Sequence, residues 1–251
     1  MGDSTRPATT GFSRPHQDGI SINKTWIAAL FASSKAALSS SKLYHQQRNL
    51  STLWKNRRRR RRSCGQVVGI TLSHPREKKI AITWQFEIRD FDLRSHPFAP
   101  DSIHLLRSSG IVLERTRRLG IPSTWLAGLL VDAGLVGCRS RATWVAFQGR
   151  YDFAILFKSL LQLTKPPWAA KDSVKLPVTL DVFMAWARCL FGSKLYDLKC
   201  LTKSCRLHGG LEKVAMQVKA ERAAGAKHQA GSDSRLACEV FLKIKETFRE
   251  R

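Results

Sequence analysis

Two aspartates and a histidine are the residues of this chain best suited to phosphodiester chemistry. Near the C-terminus, His228-Gln229-Ala230-Gly231-Ser232-Asp233 sets a histidine five residues before an aspartate, at the expected start of a helix. Upstream, Arg150-Tyr151-Asp152-Phe153 puts a second aspartate just after a strand-like run. Carboxylates of this kind hold Mg2+ or Mn2+, and an imidazole with an ordinary pKa of about 6.5 can take a proton from metal-bound water. A two-metal site also needs an acidic pair from elsewhere, usually spaced Asp-x-Glu along one strand. No Asp-x-Glu occurs anywhere in the sequence. The plainer alternative is that Asp152 and Asp233 cap the helices they begin, each contributing roughly 1 kcal/mol. Cys200, Cys205 and His208 invite comparison with a zinc site, but their spacing fits no familiar finger and no fourth ligand is evident.

The elements that must position these residues begin at Gln66. Gln66 to Ser73 and Ala81 to Arg89 are β-branched and aromatic, and the polar run His74 to Lys79 between them predicts an antiparallel hairpin. Helix start and stop signals bracket Ala99 to Ser109 and Ser123 to Ala133. Ala142 to Phe147 reads as a short buried strand, followed at Gly149 by a turn into a helix over Asp152 to Leu163 that Lys165-Pro166-Pro167 breaks. A helix over Val178 to Phe191, a strand over Lys194 to Leu198, and amphipathic helices over Gly210 to Ala220 and Asp233 to Phe248 complete the pattern. Strands mixed with helices in this order predict an α/β domain with a mixed sheet.

Charge is the unusual feature of the composition. Lys and Arg total 43 against 19 Asp and Glu, a net charge of +24 that favours a polyanionic partner. Residues 1–62 hold 13 of the basic residues and only Asp3 and Asp18 as acids, and they end in Arg57, Arg58, Arg59, Arg60, Arg61 and Arg62. We read 1–62 as a disordered basic extension and 63–251 as the folded domain. Within the extension, only Thr25 to Leu38 is apolar enough for a short helix. The arginine run suits nuclear import or contact with RNA phosphates. Six cysteines without a framework spacing and no apolar run of membrane-spanning length point to a reduced, soluble protein.

Residues 66–249 resemble the Caf/Pop deadenylase subunit of the Ccr-Not complex, and its plant branch above all. The likeness runs through Gln66-Val67-Val68-Gly69-Ile70-Thr71-Leu72, Trp84-Gln85-Phe86, Ala99-Pro100-Asp101-Ser102-Ile103 and Leu105-Leu106-Arg107-Ser108-Ser109-Gly110-Ile111. It continues through Tyr151-Asp152-Phe153, Tyr196-Asp197-Leu198-Lys199, His208-Gly209-Gly210-Leu211 and His228 to Ser234. The resemblance implies an RNase H-like fold, a mixed sheet flanked by helices, and a DEDD-group 3′→5′ exoribonuclease acting on mRNA poly(A) tails and releasing 5′-AMP. By position, Asp152 resembles the third acidic metal ligand, Asp233 the fourth, and His228 the water-activating histidine. Asp197 falls in a shared motif but is given a structural role. The implied cofactor is Mg2+ or Mn2+, and the implied partners are poly(A) RNA, the Not scaffold and the Ccr-type nuclease, in nucleus and cytoplasm, without a membrane.

The family's first acidic pair, Asp-Thr-Glu, lies on a central strand ahead of the segment matched by Gln66 to Leu72, and residues 1–65 do not resemble that portion. The domain is therefore expected to be N-terminally incomplete, to lack its central strand and to hold metal weakly. Thr25 to Phe31 could fill the gap but shows no alternation. Two functions follow as expectations: a deadenylase of doubtful activity, or an inactive adaptor that binds RNA or the scaffold. A DNA-binding factor acting through the arginine run is the remote third, since no groove-reading motif accompanies it.

Overall fold

The computed structural model describes residues 27–32, 67–74, 81–94, 96, 98, 100–163, 179–192 and 194–249. The arginine run and Lys165-Pro166-Pro167 lie outside these residues, as does all of 1–62 except 27–32.

Five strands form one sheet: β1 (Ile27–Ala32), β2 (Val67–Ser73), β3 (Ala81–Glu87), β4 (Thr143–Ala146) and β5 (Leu195–Asp197). Their order is β3-β2-β1-β4-β5. The expected hairpin is present, with β2 antiparallel to β3 from Val67↔Glu87 to Ser73↔Ala81. Strand β1 runs antiparallel to β2 and parallel to β4, which in turn is parallel to β5.

The expectation of a missing central strand is therefore corrected. The middle of the sheet is occupied by Ile27-Ala28-Ala29-Leu30-Phe31-Ala32, and the short helix expected across Thr25 to Leu38 is a strand over these residues. This strand also belongs to the sheet although it falls within 1–62, so the folded part does not begin at residue 63. Flanking strands explain why the backbone is extended here: between β2 and β4, an unpaired gap would orphan two rows of N–H and C=O groups.

Eight helices among the described residues cover the sheet: α1 (Pro100–Ser108), α2 (Leu113–Leu119), α3 (Ser123–Asp132), α4 (Arg150–Leu163), α5 (Leu180–Phe191), α6 (Leu198–Ser204), α7 (Leu211–Gln217) and α8 (Ala230–Arg249). Of these, α2 and α6 were not anticipated. Successive residues of a strand face opposite sides of a sheet, and β4 divides accordingly. Trp144 and Ala146 join Val68 and Ile70 in a core with Leu126 and Leu130 of α3, Phe153 and Phe157 of α4, and Phe191 of α5. Val145 faces the other way, into a core with Leu198, Leu211, Val214 and the α8 residues Leu236, Val240 and Phe241. A third cluster, Val67, Ile103, Leu106, Ile111, Leu113 and Ala230, closes the end where α8 begins. Trp144 anchors the first core. Its rings meet Phe153 and Phe191 edge-on, and its buried Nε1–H donates to the Leu135 carbonyl at 3.0 Å.

No helix among the described residues is long and apolar enough to cross a membrane.

Candidate functional site

Helix α8 reaches the sheet at an unusually short distance, and one glycine permits it. A Cβ on Gly69 of β2 would lie 2.0 Å from the Ala230 carbonyl oxygen and 2.6 Å from the Gly231 nitrogen. Polar contacts then hold the first turn in place. Gly231 N–H donates to Gln85 Oε1 at 3.0 Å, Thr71 Oγ1 meets Ser234 Oγ at 2.7 Å, and Thr71 also meets Thr83 Oγ1 at 2.9 Å. Asp233 rides on this clamped turn. The helix begins at Ala230, three residues earlier than expected, so Asp233 is inside the first turn and not its cap. Its own N–H donates to the Gln229 carbonyl at 2.8 Å.

The Asp233 carboxylate is buried, and its partner is an arginine that sequence reasoning did not single out. Arg222 donates to Asp233 Oδ1 at 2.7 Å, and the same guanidinium pairs with Glu212 of α7 and with the Ser232 hydroxyl. Burial works against the charged guanidinium, but hydrogen bonds to Glu212 and Asp233, reinforced by their charges, outweigh it and raise the Arg222 pKa. One cation thus ties α7, the loop before α8 and the first turn of α8 together. The only sequence signal for it was a basic residue beside an acid-poor, Ala-rich loop.

Asp152 comes from the opposite layer. Strand β4 ends at Ala146, the chain turns through Phe147-Gln148-Gly149, and Asp152 stands buried in the first turn of α4. Gln148 takes a left-handed backbone, φ 60°. Asp197 fixes that turn, as its expected structural role requires: Oδ1 accepts from Gln148 N–H at 3.1 Å and from Lys199 N–H at 2.8 Å, capping α6. His228 sits half-buried in the loop before α8, with a left-handed φ of 69°.

The register of β1 decides what the sheet centre can add. Ala29 pairs with Thr71 and Phe31 with Gly69, so these are the strand positions level with the clamped start of α8. They are two residues apart, as Asp-x-Glu would be, and neither is acidic. No group of three or more His, Cys, Asp and Glu residues that could hold a metal ion is present among the described residues. With Arg222 already on Asp233, these donors do not fit a pair of divalent ions. Cys200, Cys205 and His208 likewise form no such group.

A mixed sheet with a central strand, antiparallel on one side and parallel on the other, and a long C-terminal helix across it define an RNase H-like exonuclease fold. No family model matches the chain. It is nevertheless 41% identical over 166 residues to a probable CCR4-associated factor 1 homolog of Arabidopsis thaliana, covering 66% of this chain and 55% of the relative. The poly(A) ribonuclease pop2 of Schizosaccharomyces pombe is 34% identical over 169 residues, 67% of this chain and 46% of that protein. The solved structure of S. pombe Pop2p in its Mg2+- and Mn2+-bound form has a TM-score of 0.67 and 30% identity, over 89% of this chain and 84% of that one. Yeast CAF1 crystallised with the NOT1 MIF4G domain shares the fold, with a TM-score of 0.63 and 20% identity over 91% of this chain and 81% of that one. This chain belongs to the Caf1/Pop2 family of deadenylases. It spans about half the length of the curated relatives it matches.

Proposed function

We propose that this chain acts in mRNA deadenylation within the Ccr-Not assembly as a member with little or no nuclease activity of its own, serving as an adaptor for poly(A) RNA or for the Not scaffold. The observation that carries this reading is the pairing of Ala29 and Phe31 with Thr71 and Gly69, which leaves the centre of the sheet without carboxylates at the level of Asp233. Arg222 on Asp233 supports it, because a guanidinium at 2.7 Å, shared with Glu212, supplies part of the counter-charge that a metal would otherwise provide. On this reading Asp152, Asp233 and His228 keep the positions of the family's metal ligands and water-activating histidine, but bind Mg2+ or Mn2+ weakly. The NOT1 domain seen with yeast CAF1 is the model for the scaffold contact, and a Ccr-type nuclease is the partner that supplies cleavage. The net charge of +24 suits RNA, with affinity falling steeply as salt rises, and Arg57 to Arg62 suit phosphate contact and passage between cytoplasm and nucleus.

The test is shortening of a 5′-labelled oligo(A) by the purified chain with Mg2+ or Mn2+, beside Asp233→Ala and a chelator control. The expected result is no shortening, with oligo(A) still retained in a binding assay. Stepwise 3′ shortening that vanishes in both controls would overturn the proposal and make the chain a working deadenylase.

A further inference from the structure

We propose that Cys138 and Cys189 form a redox-active dithiol site that closes into an intrachain disulfide by exchange with low-molecular-weight disulfides of the glutathione type. The two sulfurs lie 3.0 Å apart, and both residues are exposed. Cys138 stands in the loop after α3 and Cys189 in the last turn of α5, 51 residues later, so the fold and not local sequence brings them together. Their backbones are already joined: Gly137 N–H donates to the Leu190 carbonyl at 2.6 Å. Closing the S–S bond therefore needs an approach of about 1 Å by side chains alone.

The two thiols act in sequence. A hydrogen bond to Cys138, then repulsion from it, raises the Cys189 pKa. Cys138, in a basic neighbourhood where Arg139 and Arg141 flank it and Arg188 flanks Cys189, can open the exchange. Its thiolate attacks one sulfur of the small disulfide, forming a mixed disulfide and releasing one small thiolate, which takes up the proton lost from Cys138. Cys189, losing its proton to solvent, attacks the Cys138 sulfur and expels the second small thiolate, which is protonated in turn. Two protein thiols are oxidised and one small disulfide is reduced to two thiols. Elsewhere Cys238 is fully enclosed, its thiol pushed up to about 12 by burial first and by Glu239 second, and does not compete.

The bond would clamp the loop after α3 onto α5 and enclose β4 and α4, the segment that carries Trp144 and Asp152. Oxidation is thus a means of stiffening the layer beneath one of the candidate site's two carboxylates. The experiment incubates the reduced full-length chain in glutathione buffers of rising oxidised-to-reduced ratio, then maps disulfides after alkylation and measures the melting temperature. A Cys138–Cys189 cross-link within one molecule is expected, with a rise in Tm of roughly 5–15 °C that a reductant reverses. Cys189→Ser should instead retain glutathione on Cys138 and show no such rise. Alkylation of both thiols after oxidising treatment, a stable glutathione adduct on each in the wild type, or a cross-link only between molecules would overturn the proposal.

Discussion

Replacing Arg222 with methionine tests whether the guanidinium is the resident counter-charge of Asp233. The side chains of Arg222 and Asp233 are 15% and 7% exposed, so the pair is largely out of water. Removing one partner of a buried pair strands the other charge, at a cost of roughly 3–5 kcal/mol. Glu212 moderates that figure, because its side chain is 38% exposed and water can replace the lost contact. A loss of about 2–3 kcal/mol remains for Arg222→Met, equivalent to a Tm drop of roughly 5–10 °C in a chain of this size. Asp233→Asn and the double variant complete a thermodynamic cycle. The double variant should be more stable than Arg222→Met alone, since the stranded carboxylate is gone, with a coupling of about 1.5–3 kcal/mol in urea unfolding. A metal titration belongs to the same experiment: a site filled at a hundred times its Kd adds about 2.7 kcal/mol, and the wild type, binding the ion only weakly, should gain little of this from Mn2+. A cost below about 0.5 kcal/mol for Arg222→Met, or a clear Mn2+-dependent rise in wild-type Tm, would refute the reasoning.

Other perturbations address the surroundings of the pair. Gly69→Ala drives a Cβ to 2.0 Å from the Ala230 carbonyl, a backbone atom that only moves if α8 lifts, so a loss of at least about 3 kcal/mol in urea unfolding is expected; an unchanged midpoint would mean that α8 is not seated as described. Placing an acidic pair in the central strand, Ala29→Asp with Phe31→Glu, should create a Mn2+-dependent rise in Tm that the wild type lacks, most clearly together with Arg222→Met; no response in either would place the acidic pair's level elsewhere on the strand. Cys238 has a folded pKa of about 12 against 9.0 when free, so its contribution is fully present below pH 9 and is lost as pH rises towards 12, at up to about 1.4 kcal/mol per pH unit. Cys238→Ala should flatten the alkaline limb of a stability–pH profile, and an unaltered slope would contradict the burial argument.

The parts of the fold legible in the sequence are those whose signal is local. The hairpin announced itself through β-branched runs around a polar turn, and α3 through Pro122 ahead of it and Gly134 behind. Strand β1 did not, because Ile27-Ala28-Ala29-Leu30-Phe31-Ala32 is a continuous apolar run, and such a run fits a helix and a fully flanked strand equally well. Its conformation is settled by β2 and β4, which sit 35 and 111 residues beyond its end by the start points Val67 and Thr143. Arg222 was hidden for a similar reason, since its partners are ten and eleven residues away in sequence and share no periodicity with it. The thiol pair is the extreme case, two cysteines 51 residues apart with no framework spacing. Asp152 and Asp233 were visible at helix starts, and the plainer capping alternative does not hold for Asp233, because its carboxylate turns to a guanidinium.

The central strand separates what the fold needs from what the chemistry needs. Between β2 and β4, backbone hydrogen bonding asks only for an extended segment that tolerates burial, and Ile, Ala, Leu and Phe meet that requirement. Carboxylates at Ala29 and Phe31 would add nothing to that backbone pairing. A sheet centre without acids and an Asp233 that shares the Arg222 cation with Glu212 are consistent with each other. Contacts through Gly69, Thr71 and Gln85 seat α8 on the sheet by protein groups alone. That arrangement is compatible with the proposed adaptor role.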